Sequence, residues 1–268
     1  MQVIEQVPFE EYLRGVLPRE VGADWPAESL KSQAVISRTY VLAMMNRSVY
    51  KDYDVTNDVR SQVYGGLQAE KPATSEAVEE TRGEILVDGA GAPALSFFHS
   101  SCGGRTETPP YVWSDLQNPP TDFESIRDPY CRSDPYRSWA RDISAERIQN
   151  RLRRAGYRVG TLRKISAAKE SPSGRVWSFA VESSRGRILV PGNNFRLAVG
   201  PEVLRSTYLT DLRKKGSVFH FEGKGWGHGA GLCQWGARGR AQEGHTYTQI
   251  LKAYYPNSRL VKAGSPGE

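Results

Sequence analysis

Between Gly223 and Ala237 six glycines (Gly223, Gly225, Gly227, Gly229, Gly231 and Gly236) surround one histidine, one cysteine, one glutamine and two tryptophans. Glycine lets the backbone turn through positive φ and lets another group approach its amides closely. The segment is therefore either a bend or bulge in a strand, or the floor of a site for an extended ligand. Trp226 and Trp235 offer apolar faces on which sugar rings stack, and His228 and Gln234 can hydrogen-bond hydroxyls or amides. The pattern has neither the lysine of a phosphate loop nor the G-x-G-x-x-G spacing of a dinucleotide site, which disfavours nucleotide chemistry.

A chain of 268 residues with 38% hydrophobic content and six tryptophans can bury a core without disulfides. Its net charge of +6 suits an acidic surface or polymer. The basic residues are spread out, clustering only at Arg151–Arg154 and Arg213–Lys215, and no helix-turn-helix, zinc-finger or RNA-binding signature accompanies them. Nucleic acid is accordingly not expected as a partner. No apolar run approaches the ~20 residues of a membrane helix.

Local patterns predict helices opening at Pro8–Glu11 and Pro26–Leu30, each with acids in its first turn, and another over 75–83. Glu84–Val87 and Ala94–Phe98 read as a strand pair across a glycine-containing turn. The proline- and tyrosine-rich stretch from Cys102 to Asp142 reads as a long loop, Ser144–Gly156 as a charged helix, and Lys164–Val190 as a hairpin turning at Pro172-Ser173-Gly174. Val218–Phe221 is a strand entering the glycine-rich segment, with helices expected over Ala237–Gln242 and Thr248–Tyr254, the second ended by Pro256. The expected fold is α+β: mixed helices and antiparallel strands around a cleft, in a single domain over 1–268 with a smaller inserted subdomain over 144–200.

Four ordered blocks carry a resemblance. They are Val7–Glu20 running on through Trp25–Val35 and Ser37–Tyr40, then Gln62-Val63-Tyr64-Gly65-Gly66, then Phe97–Thr106, and finally the glycine-rich segment continuing to Tyr254-Tyr255-Pro256. Together they resemble the sporulation stage II protein D family, which includes the amidase enhancers. The resemblance implies that the cleft binds glycan and that the protein is a peptidoglycan lytic transglycosylase, which cleaves between N-acetylmuramic acid and N-acetylglucosamine, leaves a 1,6-anhydro end and prefers strands stripped of stem peptides. It also implies partnership with a cell-wall amidase and an exported, extracytoplasmic protein whose signal or anchor is absent from this sequence. The alternative within the same family is a non-catalytic, glycan-binding enhancer of the amidase. A zinc amidase is disfavoured, because no H-E-x-x-H set appears.

Cleaving a glycosidic bond requires a proton for the leaving oxygen. A lytic transglycosylase manages with one carboxylate, since the muramic acid 6-hydroxyl attacks internally. The family's catalytic glutamate maps onto Glu20, although on the residues alone Glu11 and Glu28 are equally eligible. A glutamate among Tyr12, Trp25 and prolines would be partly desolvated, which favours its protonated form. Arg19 is open to two uses, a salt bridge or a substrate contact. His228, flanked by glycines, is expected nearest the chemistry, whereas His220 reads as an ordinary strand residue. Gln33, Arg38 and Tyr40 from the second helix, Ser101 and Gly103 from the third block, and Gln234, Tyr254 and Tyr255 complete the expected glycan contacts.

Cys102, Cys131 and Cys233 are an odd number of thiols. Many relatives carry serine or threonine at the first and last of these positions, and zinc has been associated with the family. With His99 or His228 the three sulfurs would form a tetrahedral Zn(II) set, in which His99 and Cys102 share an H-x-x-C spacing. A Cys102–Cys131 disulfide with Cys233 free is the competing state in an exported protein. A zinc held by four protein ligands would be structural.

Overall fold

A computed structural model describes residues 4–47, 52–57, 62–113 and 123–263. The fold is α+β, with antiparallel pairing in its ladders. It divides into two compact units, one formed by residues 1–98 and 237–268 and the other by 99–236. The second is larger than the insertion expected over 144–200.

The first unit begins with α1 (Phe9–Glu20), which follows Pro8 and carries Glu10 and Glu11 in its first turn and Arg19 in its last, each complementing the helix dipole. Then comes α2 (Ala27–Met45), entered after Pro26. Twelve of its nineteen residues are buried, so α2 is the central helix of the unit and not an amphipathic surface helix. Leu13, Leu17, Leu30, Ala34 and Val78 pack between it, α1 and α3 (Pro72–Glu80). The third helix starts three residues before its expected position because Pro72 takes the first turn, where its missing N–H costs nothing.

Strand β1 (Glu84–Val87) follows. Its expected partner, Ala94–Phe98, makes only a short turn contact with it, through Val87 and Pro93 and the Ala94 N–H donated to Leu86 O. That segment instead runs along α2, where Ser96 Oγ donates to Ile36 O at 2.8 Å.

The second unit begins at His99, within β2 (Phe98–His99). The expected loop from Cys102 onward, of which 114–122 lies outside the described residues, contains α4 (Pro109–Val112) and a 3-10 turn over Pro129–Ser133. It ends early, at β3 (Ser138–Ser144). Ser144 caps α5 (Ala145–Arg154) by accepting from Arg147 N. The expected hairpin is a three-stranded meander: β4 (Leu162–Glu170), β5 (Val176–Ser183) and β6 (Gly186–Pro191), leading into α6 (Gly192–Val199). A second meander follows, β7 (Leu209–Lys215) and β8 (Val218–Lys224), with β8 between β3 and β7. Phe179, Phe195, Phe219, Phe221, Ile148 and Leu152 form the core.

After β9 (Leu232–Cys233), paired with β2, the unit boundary falls within α7 (Gln234–Gln242). The chain closes the first unit with α8 (Tyr247–Tyr254) and β10 (Arg259–Lys262). A Thr246–Gln249 capping box starts α8. The last strand is the true partner of β1, pairing Ile85 with Val261 and Leu86 with Leu260.

Candidate functional site

The candidate residues fall into two groups, one in each unit. In the first, Glu20 closes α1 and is half-buried. Its carboxylate raises the phenol pKa of both Tyr12 and Tyr40, adding to the larger effect of burial on each. A second aromatic layer lies behind them: Tyr12 stacks on Tyr64 at 5.3 Å, and Tyr40 meets Phe97 and Phe98 at 6.4 and 6.2 Å. Tyr64 reaches this place because α1 has no side chain at Gly15, against which its ring lies, while Gly65 N donates to Gly15 O at 3.0 Å. A Cβ on Gly65 would approach Arg19 Cδ to 3.1 Å, so the stem of exposed Arg19 covers this turn. Three separated blocks therefore converge on Glu20. The rival Glu28 is engaged elsewhere, by Lys31 at 3.1 Å and by Tyr247 N at 2.6 Å.

Arg38, Gln33, Tyr254 and Tyr255 are corrected by their burial. Arg38 is 1% exposed, and its guanidinium grips Glu10 at 2.8 and 2.9 Å while donating to the carbonyls of Val78 and Glu84. It ties α1, α2, α3 and β1 together and has no face left for a sugar. Gln33 is buried and donates to Ser37 Oγ, Tyr254 is buried beneath Arg240, and Tyr255 donates to Phe97 O at 2.7 Å. These side chains build the first unit.

In the second unit the glycine-rich segment is read most clearly through its neighbours. Ser101 and Trp226 exchange backbone hydrogen bonds at 2.9 and 2.8 Å, laying the third and fourth blocks antiparallel. Gly103 (φ +69) and Gly225 (φ +73) sit so close that a Cβ on Gly225 would lie 2.7 Å from Gly103 N. Ser101 and Gly103 are thus buried backbone partners and not surface groups. Trp226 is similarly occupied: Tyr136 meets it edge-on at 4.9 Å and the Arg205 guanidinium lies 4.7 Å from its ring.

His228 is half-buried, packed against Trp113 at 4.9 Å and His99 at 5.6 Å. Its Nδ1 accepts from Ala230 N at 3.1 Å, which puts the proton of the neutral ring on Nε2. Gln234 is buried at the start of α7.

The three cysteines meet in one buried cluster. Cys102 Sγ lies 3.5 Å from Cys131 Sγ, and Cys233 Sγ accepts from Cys102 N at 3.2 Å. All three are thiols here, and the 3.5 Å separation is well beyond the ~2.05 Å of a disulfide. Burial pushes the Cys102 and Cys233 thiols up, whereas hydrogen bonds from those two stabilise the Cys131 thiolate and push that group down.

His99 completes the set. It is 4% exposed, its Nδ1 meets Ala230 O at 3.1 Å, and its buried Nε2 has no hydrogen-bond partner. Its ligand atom and those of Cys102 and Cys233 lie within 4.8 Å of one another. Burial keeps the ring neutral, the form that binds a metal, and an Nδ1–H donated to a carbonyl is the usual outer contact of such a ligand. His99, Cys102 and Cys233 thus offer one imidazole nitrogen and two sulfurs of the kind a soft metal takes, with the Cys131 sulfur beside Cys102 as the candidate fourth donor.

Two buried groups give no signal in the sequence. Arg175, after the turn of the β4–β5 hairpin, donates to Cys102 O at 2.7 Å and Arg105 O at 2.9 Å, and a Cβ on Gly229 would strike its Nε at 2.6 Å. Glu107 accepts from Ser171, from Ser173 at 2.7 Å and from Thr108 N at 2.8 Å. Both clamp the hairpin turn to the cysteine block through contacts between residues about seventy positions apart, a distance over which local spacing carries no information.

Residues 1–87 match the family described as Stage II sporulation protein, and residues 128–231 match a domain of unknown function. The chain is 33% identical over 264 residues to an uncharacterized protein of Brachyspira hyodysenteriae, a match covering 97% of this chain and 68% of that one. It is 31% identical over 298 residues to the amidase enhancer of Bacillus subtilis, covering 93% of this chain but only 40% of that relative's length. With the stage II sporulation protein D of Bacillus subtilis the identity is 25% over 277 residues, 98% of this chain and 77% of the other. The converging blocks and these relatives agree: the chain belongs to the family of the stage II sporulation proteins D and the amidase enhancers.

Proposed function

We propose that the protein is an extracytoplasmic cell-wall enzyme, a lytic transglycosylase acting on peptide-stripped peptidoglycan with Glu20 as both acid and base. The observation that carries this reading is the setting of Glu20: a half-buried carboxylate beside two phenols, at the C-terminal end of a helix, where the dipole is unfavourable to negative charge. Glu20 gives its proton to the glycosidic oxygen as the bond to the muramic acid C1 breaks. The same carboxylate then takes the proton of the muramic acid 6-hydroxyl as that oxygen closes onto C1. No water is consumed, and one carboxylate suffices.

Zn(II) held by His99, Cys102, Cys131 and Cys233 belongs to the same proposal. If all four held it, the metal would supply a cross-link and would leave no open position for chemistry.

The similarity to an amidase enhancer favours a second reading, a glycan-binding partner of an amidase that cleaves nothing. Product masses from amidase-treated glycan strands decide between the two. The first reading expects 1,6-anhydro ends that disappear in Glu20→Gln by at least about a hundredfold, the scale of a lost general acid, with glycan binding kept within severalfold. Binding without any cleavage by the unaltered protein would establish the enhancer.

A further inference from the structure

The second unit contains a cavity of about 370 Å³ beside the cysteine cluster, and its walls include Arg105, Arg127, Arg132, Arg137 and Lys224. Among the described residues none of these five cations forms an ion pair with a carboxylate. The acid in the same wall, Asp128, is buried and accepts from Tyr130 N as the cap of the 3-10 turn. The five cations outnumber the anionic groups of the same wall, Asp128 and the Cys131 thiolate, so the hollow attracts an entering oxyanion. Arginine forks fit a carboxylate bidentately.

We infer that this cavity binds the lactyl carboxylate of N-acetylmuramic acid on a stripped glycan strand. An amidase that hydrolyses the bond between the lactyl group and the stem peptide converts a neutral amide into a free carboxylate on each muramic acid. The cavity thereby reads the product of the amidase reaction as a charge, and its preference for stripped strands comes from attraction rather than from steric exclusion of peptide. This inference rests on the glycan reading above but not on catalysis, and on residues of the second unit alone.

The test measures binding to the Glu20→Gln protein by calorimetry at low and at raised salt. The probes are stripped glycan oligomers, the same oligomers with their carboxylates converted to amides, and glycerol-phosphate oligomers. The stripped strand is expected to bind at least about tenfold more tightly than its amidated form, a difference of ~1.4 kcal/mol, and the advantage should shrink with salt. Arg132→Gln combined with Arg137→Gln removes most of that discrimination, whereas Arg154→Gln, an exposed cation of α5 outside the cavity, keeps it.

Equal affinity for the stripped and amidated strands overturns the inference, as does a double variant no different from Arg154→Gln. Tighter binding of glycerol phosphate than of stripped glycan overturns it in favour of a phosphate polymer. Discrimination by the unaltered protein together with no cleavage by that same unaltered protein would sink the transglycosylase reading and leave this one standing.

Discussion

Gly229 joins conformation and packing in one residue. Its φ of +93 is a region that side-chain-bearing residues avoid, and the space a Cβ would need is taken by the buried Arg175 guanidinium. Gly229→Ala is therefore expected to lose about 3 kcal/mol, backbone strain and overpacking together. Gly244 has a similar φ of +86 with nothing within 4 Å of the added atom, so Gly244→Ala should lose only about 1 kcal/mol. Urea unfolding of the two variants measures the difference, and equal losses would remove Arg175 from the account. The residue scale is also where sequence reasoning erred most. Arg38 and Gln33 are polar residues on a helix, which ordinarily signals a surface, but α2 is buried on nearly all sides and their polar groups are satisfied inside.

At the scale of elements, His220 links two strands. It pairs across the sheet with Asp142 of β3 at 2.6 Å and touches Glu222 of its own strand β8 at 2.8 Å. Both carboxylates favour the imidazolium, Glu222 more strongly, and raise the His220 pKa above its ordinary value. With the folded pKa above the unfolded value of ~6.5, the stabilisation is complete below about pH 6.5 and is lost as pH rises through the folded value. Proton NMR titration should find His220 titrating above 6.5, and Asp142→Asn should lower that midpoint. A midpoint unchanged by the substitution would mean that the strand pair does not set it. The alternation with Phe219 and Phe221 makes the strand of His220 legible in the sequence, whereas its partner Asp142 lies in a proline- and tyrosine-rich stretch whose composition suggests loop.

At the scale of the whole molecule, the cysteine cluster gathers the start of the second unit, its 3-10 turn and its end. A metal there would close long loops of chain, so its loss should loosen the unit and not merely its surface. Protein purified without chelator is expected to carry close to one zinc per chain, and chelation or Cys102→Ser should lower the urea midpoint. Metal-free protein with a midpoint insensitive to chelator would return the cluster to a thiol or disulfide role. No helix among the described residues is long and apolar enough to cross a membrane.

Much of the architecture was legible in the chain. Helix starts at Pro8, Pro26 and Ser144 and the strand before the glycines all depend on local chemistry, namely caps, fixed φ and alternation, which neighbouring residues carry by themselves. The choice of β10 as partner for β1, the burial of Arg38, the closure of Gly103 on Gly225 and the approach of His99 to the sulfur of distant Cys233 are different in kind. Each depends on which surfaces meet once the chain is packed. Burial reverses the meaning of a polar side chain, so the same arginine, glutamine or tyrosine that suggests a binding face in a sequence becomes an internal tie when its hydrogen bonds are completed within the fold.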